Sequence, residues 1–160
     1  MSDSIEFQRA EKTALRLIAR AEQCSGSLAR KLEKRGHSAS CAGAVISRLC
    51  ETKLLDDSRF AQLWLESRMR LTRTPRRLLS SLCARGIDRD DAEAAIKFVF
   101  DDDAEYTLLE RFVIKHSKKK RGKKKGEEDS RSLKYLLRNE GFSSKSIHRY
   151  LEESGQNKEF

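Results

Sequence analysis
One pattern, met three times, constrains this chain more than any other feature. Leu28, Leu32, Gly36 and Ser38 keep the spacing Leu-x3-Leu-x3-Gly-x-[Ser/Asp], which returns at Leu78, Leu82, Gly86 and Asp88 and again at Leu133, Leu137, Gly141 and Ser143. Leucines four apart share one helix face, and a glycine four residues further on can take the left-handed conformation that stops the helix. Ile87 or Phe142, just after the glycine, is placed to fold back onto the helix it has left. Ser38, Asp88 and Ser143 then offer a side-chain oxygen to the unpaired amides of a new helix. Each copy encodes a helix, a glycine stop, a cap and a second helix.

The helices on either side keep the period i, i+3, i+4, i+7 of a buried stripe. After the caps come Ala42, Val45, Ile46, Leu49; then Ala92, Ala95, Ile96, Val99; then Ile147, Tyr150, Leu151 and a polar Ser154. Ahead of each pair stand Ala14, Leu17, Ile18, Ala21; then Phe60, Leu63, Trp64; then Leu108, Leu109, Phe112. The unit is three helices, and the fold class expected is all-α, three tandem three-helix repeats stacked in an elongated, curved array. The boundaries read as a tail at 1–12, repeats at 13–55, 56–100 and 101–154, the last with a basic insertion at 115–129, and a tail at 155–160. Asp56-Asp57-Ser58 and Asp101-Asp102-Asp103 stand where a helix begins, and acids there cap it and complement its dipole, a better explanation than a magnesium site. Thr74-Pro75 signals the start of another helix, threonine as cap and proline at the first helical position.

Composition agrees: one proline and 8 glycines leave few helix breakers. The first ten residues carry Asp3 and Glu6 where a signal peptide needs a basic and then an apolar stretch, and no long apolar run follows; a cytoplasmic protein with no membrane contact is expected. Cys24, Cys41, Cys50 and Cys83 lack metal-ligand spacing and read as reduced thiols used as small hydrophobes, Cys50 continuing an apolar face. Phosphate-cradle, zinc-peptidase and nucleophile-elbow motifs are absent and His37, His116 and His148 are scattered, so no enzyme, catalytic residue, metal or cofactor is expected.

The net charge of +9 is concentrated. Arg68 to Arg77 holds five arginines and no acid, and Lys115 to Gly126 holds seven lysines, one arginine and no acid. Without those thirteen the chain has 21 basic against 25 acidic residues, so the excess lies wholly in two segments suited to a polyanion or an acidic protein face.

Leu54-Leu55-Asp56-Asp57-Ser58-Arg59-Phe60-Ala61, then an arginine-rich turn, then Leu78-x3-Leu82-x3-Gly86-Ile87-Asp88, resembles the RecX family. The likeness covers residues 13 to 100 well and the third repeat more loosely. Its family motif is carried here by Leu54, Leu55, Asp56, Asp57, Arg59, Phe60, Ala61, Gly86 and Ile87. The resemblance implies a non-enzymatic, monomeric regulator of the RecA recombinase in recombination, DNA repair and the SOS response. Such a protein lies along the RecA–DNA filament groove and restrains filament growth, ATP hydrolysis and strand exchange. His37 departs from the family's apolar residue, and the lysine-rich insertion is a second departure.

The partner-binding residues expected are Arg68, Arg70, Arg73, Arg76 and Arg77, an ordered edge, and Lys118, Lys119, Lys120, Arg121, Lys123, Lys124 and Lys125, within a mobile arm from Lys115 to Gly126. The partners expected are the RecA filament and single- or double-stranded DNA. Two other readings stay open: a helical module gripping DNA or RNA phosphates without reading sequence, and a structural adaptor that meets no nucleic acid. Trp64 and Phe60 are expected in the core, joining repeats one and two.

Overall fold
A computed structural model of the chain describes residues 2–120 and 130–154, and all regular structure among them is α-helical. The helices are α1 (Ser2–Arg20), α2 (Ser25–Glu33), α3 (Ala39–Glu51), α4 (Asp57–Glu66), α5 (Pro75–Cys83), α6 (Arg89–Val99), α7 (Asp102–Lys120), α8 (Ser130–Asn139) and α9 (Ser144–Glu153). They form the three expected triplets. None is long and apolar enough to cross a membrane among the described residues. Packing gathers them into two compact units, the first from Met1–Trp64 with Ser81–Ala95 and the second from Leu65–Ser80 with Ile96–Phe160. The dividing lines fall inside α4, α5 and α6, so compactness does not follow the repeat boundaries.

In the first unit Ala10, Ala14, Leu28, Leu32, Ala42, Val45, Leu49 and Leu55 form one buried cluster, with Phe7, Leu17, Ile18 and Ile46 packed against it. The expected tail at 1–12 is instead the first half of α1. Its charged residues hide a stripe that begins at Phe7 and Ala10, a full turn before Ala14. Glu6 adds a polar anchor, because its Oε1 accepts the Ser38 N–H at 2.9 Å and the Ser38 O–H at 2.8 Å. Those bonds hold the Glu6 carboxyl below the usual carboxylate range. Ser38 itself caps α3 through the Cys41 amide.

Gly36, Gly86 and Gly141 all have positive φ, at 88°, 88° and 87°. Each lies in the same double hydrogen bond: Gly36 N–H to Glu33 O at 2.9 Å and His37 N–H to Leu32 O at 3.3 Å, with Gly86/Ile87 and Gly141/Phe142 repeating it. This is the Schellman stop that the spacing anticipates. Gly86 has a second duty: a Cβ there would lie 2.7 Å from the Gly26 Cα. Two helix ends meet backbone to backbone, the carbonyl end of α5 against the start of α2, with Arg30 donating to Ala84 O at 3.0 Å.

Trp64 is buried beneath the Arg85 guanidinium, 4.6 Å from the ring centroid. Further expectations need correction in this unit: Leu63 is 48% exposed, Phe60 only half-buried, and Ala21, Cys50 and Cys83 exposed. Leu63 lies one residue off the stripe that Ala61, Trp64 and Leu65 define, and Cys50 follows Leu49 on the outer side of α3.

The second unit repeats these devices. Leu109, Leu133, Leu137, Phe142, Ile147 and Leu151 are buried. Glu105 on α7 accepts from the Ser143 N–H at 2.9 Å and from the Ser143 hydroxyl, as Glu6 does from Ser38. The Tyr106 hydroxyl donates to Glu153, a bond that pushes the phenol up to about 12. The carbonyl end of α8 meets the start of α5, where the Arg76 N–H donates to Glu140 O at 3.0 Å and the Arg76 guanidinium to Asn139 O at 3.2 Å. A Cβ on Gly141 would lie 3.1 Å from the Arg76 nitrogen, a looser fit than at Gly86.

Candidate functional site
The arginine segment is a fixed turn. Arg68 N–H bonds Leu65 O, Leu71 N–H bonds Arg68 O and Arg73 N–H bonds Leu71 O, each at 2.8 Å. Arg70, Arg73, Arg76 and Arg77 are exposed, while Arg68 is half-buried and donates to the Ser67 hydroxyl at 2.5 Å. Arg76 also belongs to the α5–α8 junction, so its side chain is partly structural. Pro75 opens α5 as expected, and the Leu78 N–H bonds Thr74 O at 3.0 Å. The Thr74 hydroxyl, expected as the cap, instead donates to Glu140 Oε2 at 2.6 Å and is buried.

Part of the segment expected as a lysine arm is helix instead. Helix α7 runs on through Lys120, so Lys115 to Lys120 is helical; Lys118, Lys119 and Lys120 belong to that last turn. Arg121, Lys123, Lys124 and Lys125 lie outside the described residues. The reason is continuity, since lysine is a good helix former and α7 meets no glycine before Gly122.

These two segments, 38 or more residues apart along the chain, come together within the second unit. Thr72, Thr74 and Arg77 from the turn, Phe112, Lys115 and His116 from α7, and Leu136 and Glu140 from α8 surround a cavity of about 230 Å³. Phe112 is fixed in its wall, 5.7 Å from the Phe142 ring and stacked at 5.8 Å with His116. Sequence reasoning missed the contribution of α8. Tyr135 on that helix is 70% exposed between Arg131 and Arg138, one turn away on either side. Helical spacing of an aromatic among cations was the available signal.

The family-motif residues serve the first unit. Leu55, Ala61 and Ile87 are buried and Leu54 is 48% exposed. Asp56 Oδ1 caps α4 through the Arg59 N–H at 2.9 Å, and Asp101 does the same for α7 through Ala104 at 2.9 Å. Asp57 accepts from the Ser25 N–H at 2.7 Å and from its hydroxyl, and Arg59 pairs with Glu22 at 2.8 Å. The acidic pairs are thus engaged at helix starts. Among the described residues no group of His, Cys, Asp or Glu is placed to hold a metal ion.

The fold and this site define a protein of three-helix repeats with most of its net positive charge in one unit. Residues 56–96 match the family model of the RecX second three-helix domain. Regulatory protein RecX of Treponema pallidum (strain Nichols) is 38% identical over 107 residues, covering 66% of this chain and 65% of that protein, so the match spans just under two thirds of that relative's length. Regulatory protein RecX of Caldanaerobacter subterraneus subsp. tengcongensis is 26% identical over 147 residues, 92% of this chain and 71% of that one. A crystal structure of regulatory protein RecX superposes with a TM-score of 0.77 at 16% identity, over 95% of this chain and 74% of that one. RecX from Lactobacillus salivarius does so at 0.69 and 19%, over 94% and 97%. The chain is thus similar to RecX proteins over most of its length, and residues 56–96 carry the match to their second three-helix domain.

Proposed function
We propose that this chain is a non-enzymatic, cytoplasmic regulator of the RecA recombinase, acting as a monomer that binds the RecA–DNA filament and inhibits its ATPase, strand exchange and growth. The observation that carries the reading is the convergence of the two basic segments on one cavity of the second unit, in a chain whose relatives are named regulatory protein RecX. A helical repeat scaffold suits a filament: its weak patches can engage neighbouring subunits at once, and effective concentration then holds the complex. Arg70, Arg73 and Arg77 supply planar forks for carboxylate or phosphate, while the lysines supply less directional charge. The alternative reading, a sequence-independent helical DNA- or RNA-binding module, draws on the same charges.

Titration separates the two. Substoichiometric protein should suppress DNA-dependent ATP hydrolysis by RecA assembled on single strands. Suppression only at concentrations that saturate the DNA would favour the phosphate-gripping module instead.

A further inference from the structure
The cavity in the second unit has a chemistry of its own. Its cations, Arg77 and Lys115, suit an anion, yet the Glu140 carboxylate shares the same lining and would repel a carboxylate or free phosphate placed against it. Phe112 and Leu136 form apolar walls, and the Phe112 ring is pinned by Phe142. At about 230 Å³ the space falls short of the ~300 Å³ at which sites for drug-sized ligands begin. It is too small for a folded peptide segment. The guest must be compact, flat enough to lie along an aromatic ring, able to donate to a carboxylate, and attached to negative charge outside.

We infer that this cavity accepts one unstacked nucleobase of a single strand, lying against Phe112 and donating its amino edge to Glu140, with the adjoining phosphates on Arg77 and Lys115. Cytosine fits this edge, because its N4 amino group donates where thymine presents the O4 carbonyl. Two contacts hold Glu140 in position, since its Oε2 accepts the buried Thr74 hydroxyl and its backbone carbonyl accepts the Arg76 N–H. A carboxylate has lone pairs for donors beyond that hydroxyl. The inference rests on the reading that the basic residues of this unit meet DNA, but it does not need RecA.

The test therefore omits RecA and uses the full chain with three labelled oligonucleotides of equal length: oligodeoxycytidine, oligothymidine and an abasic strand. Fluorescence anisotropy should show cytidine bound about fivefold more tightly than thymidine, the low end for one good base contact. The abasic strand should bind most weakly, since stacking is lost with the base. Glu140→Gln, whose amide oxygen can still take the Thr74 proton, should collapse the ratio of cytidine to thymidine affinity; the melting temperature checks that the variant is folded. Because Phe112 also packs on Phe142, the second variant is Lys115→Ala, at an exposed position. It should weaken all three strands together and lower the salt slope by about 0.7 for one lost phosphate contact. Equal affinity for the three strands would overturn the inference, as would a cytidine preference that survives Glu140→Gln. Oligoglutamate competing as well as oligodeoxycytidine would assign the cavity to an acidic peptide instead. Failure of RecA inhibition would leave these three affinities untouched, so the two proposals fall separately.

Discussion
The two compact units use the same parts for different ends. The first holds 13 basic and 12 acidic residues, a net +1, whereas the second holds 21 and 13, a net +8. Both stop a second helix at a left-handed glycine, and both tie the cap of a third helix to an acid on the first, Glu6 to Ser38 and Glu105 to Ser143. Their junctions differ. In the first unit Gly86 lies on Gly26 with no room for a methyl group, while in the second Gly141 meets the Arg76 nitrogen more loosely beside a cation-lined cavity. The contrast teaches that the repeat specifies a scaffold and leaves its outer residues available, so that charge can be loaded into one unit without altering the helix plan.

The largest expected loss of stability belongs to the first unit. Trp64→Ala removes a buried indole and should cost about 3–5 kcal/mol in urea or thermal unfolding. An exposed aromatic that only meets a partner would leave the melting temperature unchanged and lower filament affinity instead. The glycines should then rank by what surrounds them. Gly86→Ala should cost about 3 kcal/mol, from the left-handed backbone and a backbone clash together. Gly141→Ala should cost about 2 kcal/mol, and Gly36→Ala, where a Cβ meets nothing within 4 Å, about 1 kcal/mol from conformation alone. Equal costs at the three sites would remove the difference between the junctions.

Acid sharpens the comparison further. The Glu6 carboxyl is depressed in the folded state by Ser38, so its stabilisation is present above the ordinary carboxylate pKa and is lost as pH falls through the lower folded value. Glu6→Gln should accordingly make stability fall less steeply on the acid side. An unchanged acid limb would show that the carboxylate does not anchor α1 to the start of α3. The smallest effect on folding, and a distinct one on binding, concerns residues 121–126. Their deletion removes Arg121, Lys123, Lys124 and Lys125, and if all four meet single-stranded DNA the slope of log K against log salt should fall by roughly 3. A constant slope would make them bystanders.

Much of the fold was legible because helix, stop and cap are local properties. The spacing Leu-x3-Leu-x3-Gly places the buried face and the positive φ on the same few residues, and Asp56 and Asp101 cap as acids before helices do. What was not legible depends on partners distant in sequence. Glu6 and Ser38 are 32 residues apart, so nothing in the charged start of the chain marks it as structural. Thr74 reads as a cap until Glu140 is brought beside it, 66 residues later. The end of α3 gave no glycine signal either, since Lys53 takes the left-handed conformation there at φ 55°. The cavity is the extreme case: its cations were legible as two charge runs, but Phe112, Leu136 and Glu140 read as ordinary helix residues until three helical segments converge.

The proposed division of labour between the units is tested most directly by reversing charge in each. Arg70→Glu with Arg73→Glu alters exposed residues of the second unit outside the α5–α8 junction, and Arg9→Glu with Arg16→Glu alters exposed residues of α1 in the first. Affinity for a RecA filament on single-stranded DNA should drop at least about tenfold for the first pair, the equivalent of ~1.4 kcal/mol, and stay close to wild type for the second. Equal losses from both pairs, or no loss from either, would contradict the assignment of filament binding to the second unit.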